Sequence, residues 1–182
     1  MHISQSKSRT VADIANRLRA AEIALRNDAA SRGYVITDTA LQRHHAARIE
    51  DLSEGRNTVL YSQSGVPGVY VRIDNDANQI DHLRSELGLS GNTDHEAFQG
   101  PNGRLTNFHY AKYLATMVNP STGAIVNNLS GAPSTLQCLS LPGFDPSNNC
   151  TWGEAWNYAT NDATDGFHLA TMAEWGWIAL LT

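Results

Sequence analysis

Cysteine is nearly absent: the 182 residues hold two, Cys138 and Cys150. The 11 residues between them are too many for a Cys-x-x-Cys zinc knuckle or redox motif. If bridged, the pair would close a loop of about 13 residues, stabilising by on the order of 3 kcal/mol in the chain-entropy view. A disulfide and two free thiols both remain open on the sequence. Long apolar runs are lacking too. The longest, Trp175 to Leu181, falls far short of the roughly 20 residues of a membrane span. The N-terminus Met-His-Ile-Ser-Gln-Ser-Lys lacks the apolar core of a signal peptide, so a soluble protein made without a leader is expected. Also missing are the Gly-x-Ser-x-Gly elbow, the phosphate-binding glycine loop with its lysine, and His-Glu-x-x-His. The common hydrolase, nucleotide and zincin signatures therefore have no carrier.

Basic charge is scarce beyond residue 56. Residues 1–56 hold nine of the 13 Lys+Arg and seven of the 18 Asp+Glu, a sum of +2. The remainder sums to -7 (four basic, 11 acidic), which argues against wrapping nucleic acid, because phosphate neutralisation needs clustered cations. The N-terminal arginines are spread along a helical pattern and read as a solvated face.

What is present is helical at the start. Val11, Ile14, Leu18, Ala21, Leu25 and Asp28 follow steps of three and four, the heptad spacing that draws one narrow apolar stripe. Thr10 with Asp13 resembles a capping box at its start, and Gly33 stands where a left-handed C-terminal cap belongs. The stripe Val11, Ile14, Leu18 and Leu25 is either an oligomer seam or the face of a helix packed on the chain's own second helix. That second helix is expected from Asp38, its N-cap, to Ser53, with Leu41, His45, Ile49 and Leu52 on one face. His44 and His45 point about 100° apart and read as surface histidines.

Extended runs follow, Thr58 to Tyr61 and Val69 to Ile73, around the turn residues Ser64-Gly65-Val66-Pro67-Gly68. Asp74 to Gly103 reads as a linker with one helical turn at Gln79 to Leu87. Its Asp74-Asn75-Asp76-Ala77-Asn78 lacks the glycine and glutamate of a calcium loop and reads as a polar turn. Three segments are expected: 1–56 as a helical attachment or oligomerisation segment, 57–92 as short strands and linker, and 93–182 as a separate module.

Four segments of that module come in a telling order: Phe108-His-Tyr-Ala-Lys-Tyr-Leu-Ala, Leu139-Ser-Leu-Pro-Gly-Phe-Asp-Pro, Thr151-Trp-Gly-Glu-Ala-Trp, and Gly166-Phe-His-Leu-Ala-Thr-Met-Ala-Glu-Trp-Gly-Trp-Ile-Ala-Leu. They resemble the phage tail and variable-protein branch of the formylglycine-generating-enzyme-like, C-type-lectin-related domains. In those domains a Gly-aromatic-His-Leu-x-Thr-x-Ala-Glu-Trp segment leads into a helix. The resemblance spans roughly residues 93 to 182 and matches the first half of such a domain; family members continue past the Glu-Trp helix. It implies an α+β fold, a helical hairpin followed by a partial lectin-like module. It also implies a virion structural protein of the tail or tail-fibre type, non-catalytic, anchoring or forming a receptor-binding module for host attachment. A capsid decoration or fibre-to-baseplate adaptor is the alternative.

The enzymes among those relatives use a reactive cysteine pair or a histidine-bound metal lying later in the domain, so no catalytic, cofactor or metal role carries over to any residue here. Implied partners are further copies of the chain, with a trimer expected, other virion proteins, and a host-surface glycan or protein; no membrane insertion is implied. Locally, Thr171 with Glu174 forms the Thr-x-x-Glu of a capping box, and Trp175, Ile178 and Ala179 are expected on a core-facing stripe. All four tryptophans lie between Trp152 and Trp177, and Trp152, Trp156 and Trp177 are the candidates for an aromatic interface.

Overall fold

The computed structural model describes residues 3–75, 95–100, 102–160 and 167–181. Among them are four α-helices and small antiparallel sheets, so the chain is a mixed α+β protein. It divides into two compact units that do not follow sequence order. One comprises Met1–Val71 and Ala111–Leu169, the other Arg72–Tyr110 and Ala170–Thr182.

The first unit opens with helix α1, Ile3–Ser31, and helix α2, Thr39–Ser53, which pack on each other. α1 begins well before the capping box expected at Thr10, because nothing in residues 3–9 breaks a helix: neither Gly nor Pro occurs there. Its end is where expected. Gly33 takes φ +65°, and the amide of Tyr34 donates to the carbonyl of Ala29. α2 is signed at both ends by local chemistry. The Asp38 side chain accepts from the amides of Ala40 and Leu41, and Glu54 closes the helix in the left-handed region.

Strand β1, Asn57–Tyr61, pairs antiparallel with β2, Pro67–Asp74, with Val59 opposite Val69. The turn between them is shorter than expected: Pro67 and Gly68 open β2, a position where proline's missing amide costs nothing. A second sheet has β6, Thr116–Asn119, between β7, Ala124–Val126, and β8, Gln137–Leu139. One core joins both helices to these strands: Ala21, Leu25, Ala29, Ile36, Ile49, Val59, Val69, Val118 and Leu139 are buried together. The helices are therefore not a separate segment 1–56, as the sequence reading had it. They share their core with residues more than 100 positions away.

Two backbone approaches depend on glycine. Gly123, in the β6–β7 turn at φ +70°, lies so close to Gly33 that an added Cβ would sit 2.8 Å from the Gly33 Cα. A Cβ on Gly65 would come 2.5 Å from the Ile36 carbonyl oxygen. Helix α3, Trp152–Thr160, completes this unit, anchored by buried Tyr158 among Met117, Leu129 and Leu136.

The second unit contains a 3-10 turn at Glu96–Phe98, the two-residue strands β3, Gln99–Gly100, and β4, Gly103–Arg104, most of β5, Asn107–Ala111, and helix α4, Met172–Leu181. Its core is Phe98 with Trp177, ring centroids 5.6 Å apart and nearly perpendicular, flanked by Ile73, Phe108 and Ala173. The capping box of α4 forms as expected: the Thr171 amide donates to the Glu174 carboxylate at 2.8 Å, and the Glu174 amide to the Thr171 hydroxyl at 3.1 Å. The buried face differs from the expected one. Trp177 and Glu174 are buried, while Trp175 and Ala179 are exposed. Residues two apart on a helix lie about 200° apart, so burying Trp177 turns Trp175 outward. Trp177, 2% exposed, is thus core rather than interface. The expected turn at Gln79 to Leu87, and Asp76 to Asn78 of the Asp/Asn run, lie outside the described residues.

The stripe on α1 splits in two. Leu25 is 1% exposed in the chain's own core, and Leu18 packs against that core, so Leu25 is not an intersubunit seam residue. Val11, 67% exposed, and Ile14, 37% exposed, are outside it. Leu25→Ala should therefore lower the unfolding free energy by about 3 kcal/mol through lost transfer energy and a cavity. Val11→Ala should change it by less than about 0.5 kcal/mol; urea denaturation of both variants checks the contrast.

Candidate functional site

Three arrangements of polar and aromatic side chains stand out, all in the first unit. The first is buried. Glu22, on α1, is 1% exposed; its Oε1 accepts from Lys112 Nζ at 2.7 Å and its Oε2 from the Tyr113 hydroxyl at 2.7 Å. With its side-chain amide turned so that both ends are satisfied, Asn57 also accepts from Lys112, at 3.3 Å. Burial, then the bond to Glu22, pushes the Tyr113 phenol upward, so it remains a donor. Each carboxylate oxygen accepts one bond from the loop after β5, so Glu22 ties α1 to that loop. A stranded buried carboxylate costs about 3–5 kcal/mol, so the cluster is a lock. Nearby, the Ser140 hydroxyl accepts from the Tyr113 amide and lies 3.2 Å from the Val69 carbonyl, fastening the same loop to β2.

The second arrangement lies between α1 and α2, around a cavity of about 210 Å³ lined by Asp28, His44, His45, Arg48 and apolar residues of both helices. His45 is not the surface histidine expected. Its side chain is 11% exposed, its Nδ1 lies 3.0 Å from the Tyr61 hydroxyl, and its Nε2 lies 3.6 Å from Asp28. Asp28, His45 and Tyr61 stand in a row, with His45 between the carboxylate and the phenol. Burial lowers the His45 pKa and raises that of Tyr61, so both groups favour their neutral forms. Sequence reasoning missed this row because Tyr61 comes from β1, a contact that helix spacing does not reveal.

The third arrangement faces outward. On α3, Trp152 and Trp156 are one turn apart, with ring centroids at 5.5 Å and planes at 29°, and they are 74% and 44% exposed. Tyr158 lies about 200° round the helix from Trp156 and is the buried anchor, so the same helix that docks through Tyr158 presents both indoles. A capping box holds its start. The amide and hydroxyl of Thr151 donate to Glu154 Oε2 at 2.7 and 2.8 Å, and these bonds hold Glu154 below the usual carboxylate range. The expectations from sequence did not include this box, although its Thr-x-x-Glu spacing is the signal that would have marked it.

The chain matches no protein-family model and no curated protein.

Of the sequence candidates, the structure brings together Trp152 and Trp156 and sets Trp177 apart in the core of the other unit. Cys138 and Cys150 are both free thiols, so no bridge joins them. Burial pushes the Cys138 thiol up to about 11, which leaves little thiolate to exchange. Among the described residues, no group of three or more His, Cys, Asp or Glu could hold a metal ion.

The lowered pKa of His45 sets a pH dependence. The native state favours neutral His45, whereas the unfolded chain takes up a proton near the ordinary value of 6.5. The stability from the neutral form is thus complete above about pH 6.5 and is lost as pH falls below it. In thermal unfolding between about pH 7.5 and 5, His45→Gln should flatten the decline seen in the parent; an unchanged slope would count against this assignment.

Proposed function

We propose that this chain is a non-catalytic structural and adhesion protein of a phage particle, of the tail or fibre type, in which α3 presents a recognition surface to the host. The observation that carries this reading is the exposed Trp152–Trp156 pair, held outward by a capped helix anchored at Tyr158. Two rigid indoles give a broad apolar contact at low entropic cost, and sugars and proteins alike use such rings as stacking surfaces. The described charged and polar centres support a non-catalytic role. Glu22 is buried in an ion pair with Lys112, and burial holds Tyr61 protonated. The motif order over residues 93–182, similar to the phage branch of the lectin-related domains, supports the class of particle and a partial lectin-like module. Among the described residues, no helix is long and apolar enough to cross a membrane.

The rival reading is a capsid decoration or fibre-to-baseplate adaptor, in which the same indoles face another virion protein. Tryptophan fluorescence, titrated with surface polysaccharide from candidate host cells, separates the two. Recognition predicts a saturable change that weakens at least about tenfold in Trp152→Ala/Trp156→Ala, with the unfolding curve little altered. A parent protein that copurifies with particles yet responds to no host polysaccharide or cell surface would favour the adaptor.

A further inference from the structure

The buried cluster around Glu22 brings together the three groups that an amide-forming reaction between side chains requires: a primary amine, a carboxamide, and a carboxylate to carry a proton. Lys112 Nζ lies 2.7 Å from Glu22 Oε1 and 3.3 Å from the side-chain oxygen of Asn57. Asn57 Cγ is one bond of about 1.2 Å from that oxygen, so it stands within about 4.5 Å of the amine. The carboxamide is held in place. Its nitrogen donates to the Arg56 carbonyl at 3.2 Å, and the Asn57 backbone amide donates to the Ser53 hydroxyl at 2.9 Å. The Tyr113 hydroxyl occupies Glu22 Oε2, which leaves Oε1 turned to the lysine. Glu22 is 1% exposed and Asn57 7%, so water, the competing nucleophile, is kept back. The lysine side chain, 28% exposed, leaves a way out for a small product.

We propose that Lys112 and Asn57 become joined by a side-chain amide bond, formed once by the folded chain with Glu22 as the proton carrier. Lys112 Nζ passes a proton to Glu22 Oε1 along the bond they share. The neutral amine attacks Asn57 Cγ and forms the new C–N bond. Glu22 returns the proton to the carboxamide nitrogen as the Cγ–Nδ2 bond breaks, and the attacking nitrogen's surplus proton leaves with ammonia as ammonium. No oxidant or second reactant is consumed. Amide aminolysis is slow between free molecules, but groups held in contact react as if at about 10⁵–10⁸ M. Residue choice points the same way. The chain uses 11 arginines and two lysines, Lys7 and Lys112. A guanidinium pairs better with a carboxylate but stays protonated, so at this ion pair only the lysine is also a nucleophile. The bond would staple β1 to the loop after β5 where the two cysteines are free thiols. It consumes the chain's own side chains and turns over no substrate, so it stands beside the non-catalytic reading and independently of it.

Intact-mass measurement of the purified full chain tests this. The mass should fall below that of the sequence by one ammonia, about 17 Da. After denaturation and trypsin, the peptide Asn57–Arg72 should be found bonded to one that begins at Leu105, uncut after Lys112. Lys112→Arg keeps a cation against Glu22, so it should fold as the parent by circular dichroism, show the full sequence mass and yield no joined peptides. Glu22→Gln keeps a hydrogen-bonding side chain that accepts no proton and should also show the full mass. A parent protein of full sequence mass whose Lys112 is cleaved normally would overturn the proposal. So would joined peptides that persist in Glu22→Gln, or a loss of ammonia that persists in Lys112→Arg, which would mark cyclisation at an asparagine instead.

Discussion

A carboxylate buried from solvent organises the first unit. Glu22 sits on α1, its two partners, Lys112 and Tyr113, lie about 90 residues later, and each of its oxygens is 2.7 Å from one of them. A buried charge tolerates no loosening: the attraction offsets desolvation only while the geometry is kept. The loop after β5 must therefore hold its place against α1. Ser140 ties the same loop to β2, and the apolar core of α1, α2, β1, β2, β6 and β8 closes beside it. Lys112 and Tyr113 follow directly on Ala111, where the chain re-enters the first unit.

That constraint separates what a helix says of itself from what it says of its neighbours. The ends of α2 could be read from Asp38 and from the residues before Gly55, because caps are satisfied within four residues of their donors. The Thr171–Glu174 box was legible for the same reason, and its twin at Thr151–Glu154 carries an identical signal. Glu22 was illegible: beside an apolar stripe, a glutamate reads as solvated flank until Lys112 is brought to it from another region. His45 behaves alike, since its burial depends on Tyr61 from a strand. The tryptophans show a subtler limit. Their clustering in sequence was plain, but on α4 the choice between Trp175 and Trp177 as the buried ring was made by Phe98, far away in the chain.

The functional reading rests on the contrast between locked polar interiors and unlocked apolar exteriors. Among the described residues, Glu22 and His45 are tied to partners from other elements, while the α3 indoles and Val11 and Ile14 of α1 are turned outward. Exposed apolar features of this kind are at home where a protein meets other molecules.

Native-state hydrogen exchange in low denaturant tests the central claim, that the N-terminal helices and the β6 sheet are one cooperative unit despite their distance in sequence. The account predicts that the slowest amides of α2, around Ile49, and of β6, around Val118, share one opening free energy and one denaturant slope. Amides of α2 that open at distinctly lower free energy, while those of β6 stay protected, would show the helices to be a separate segment and would contradict it.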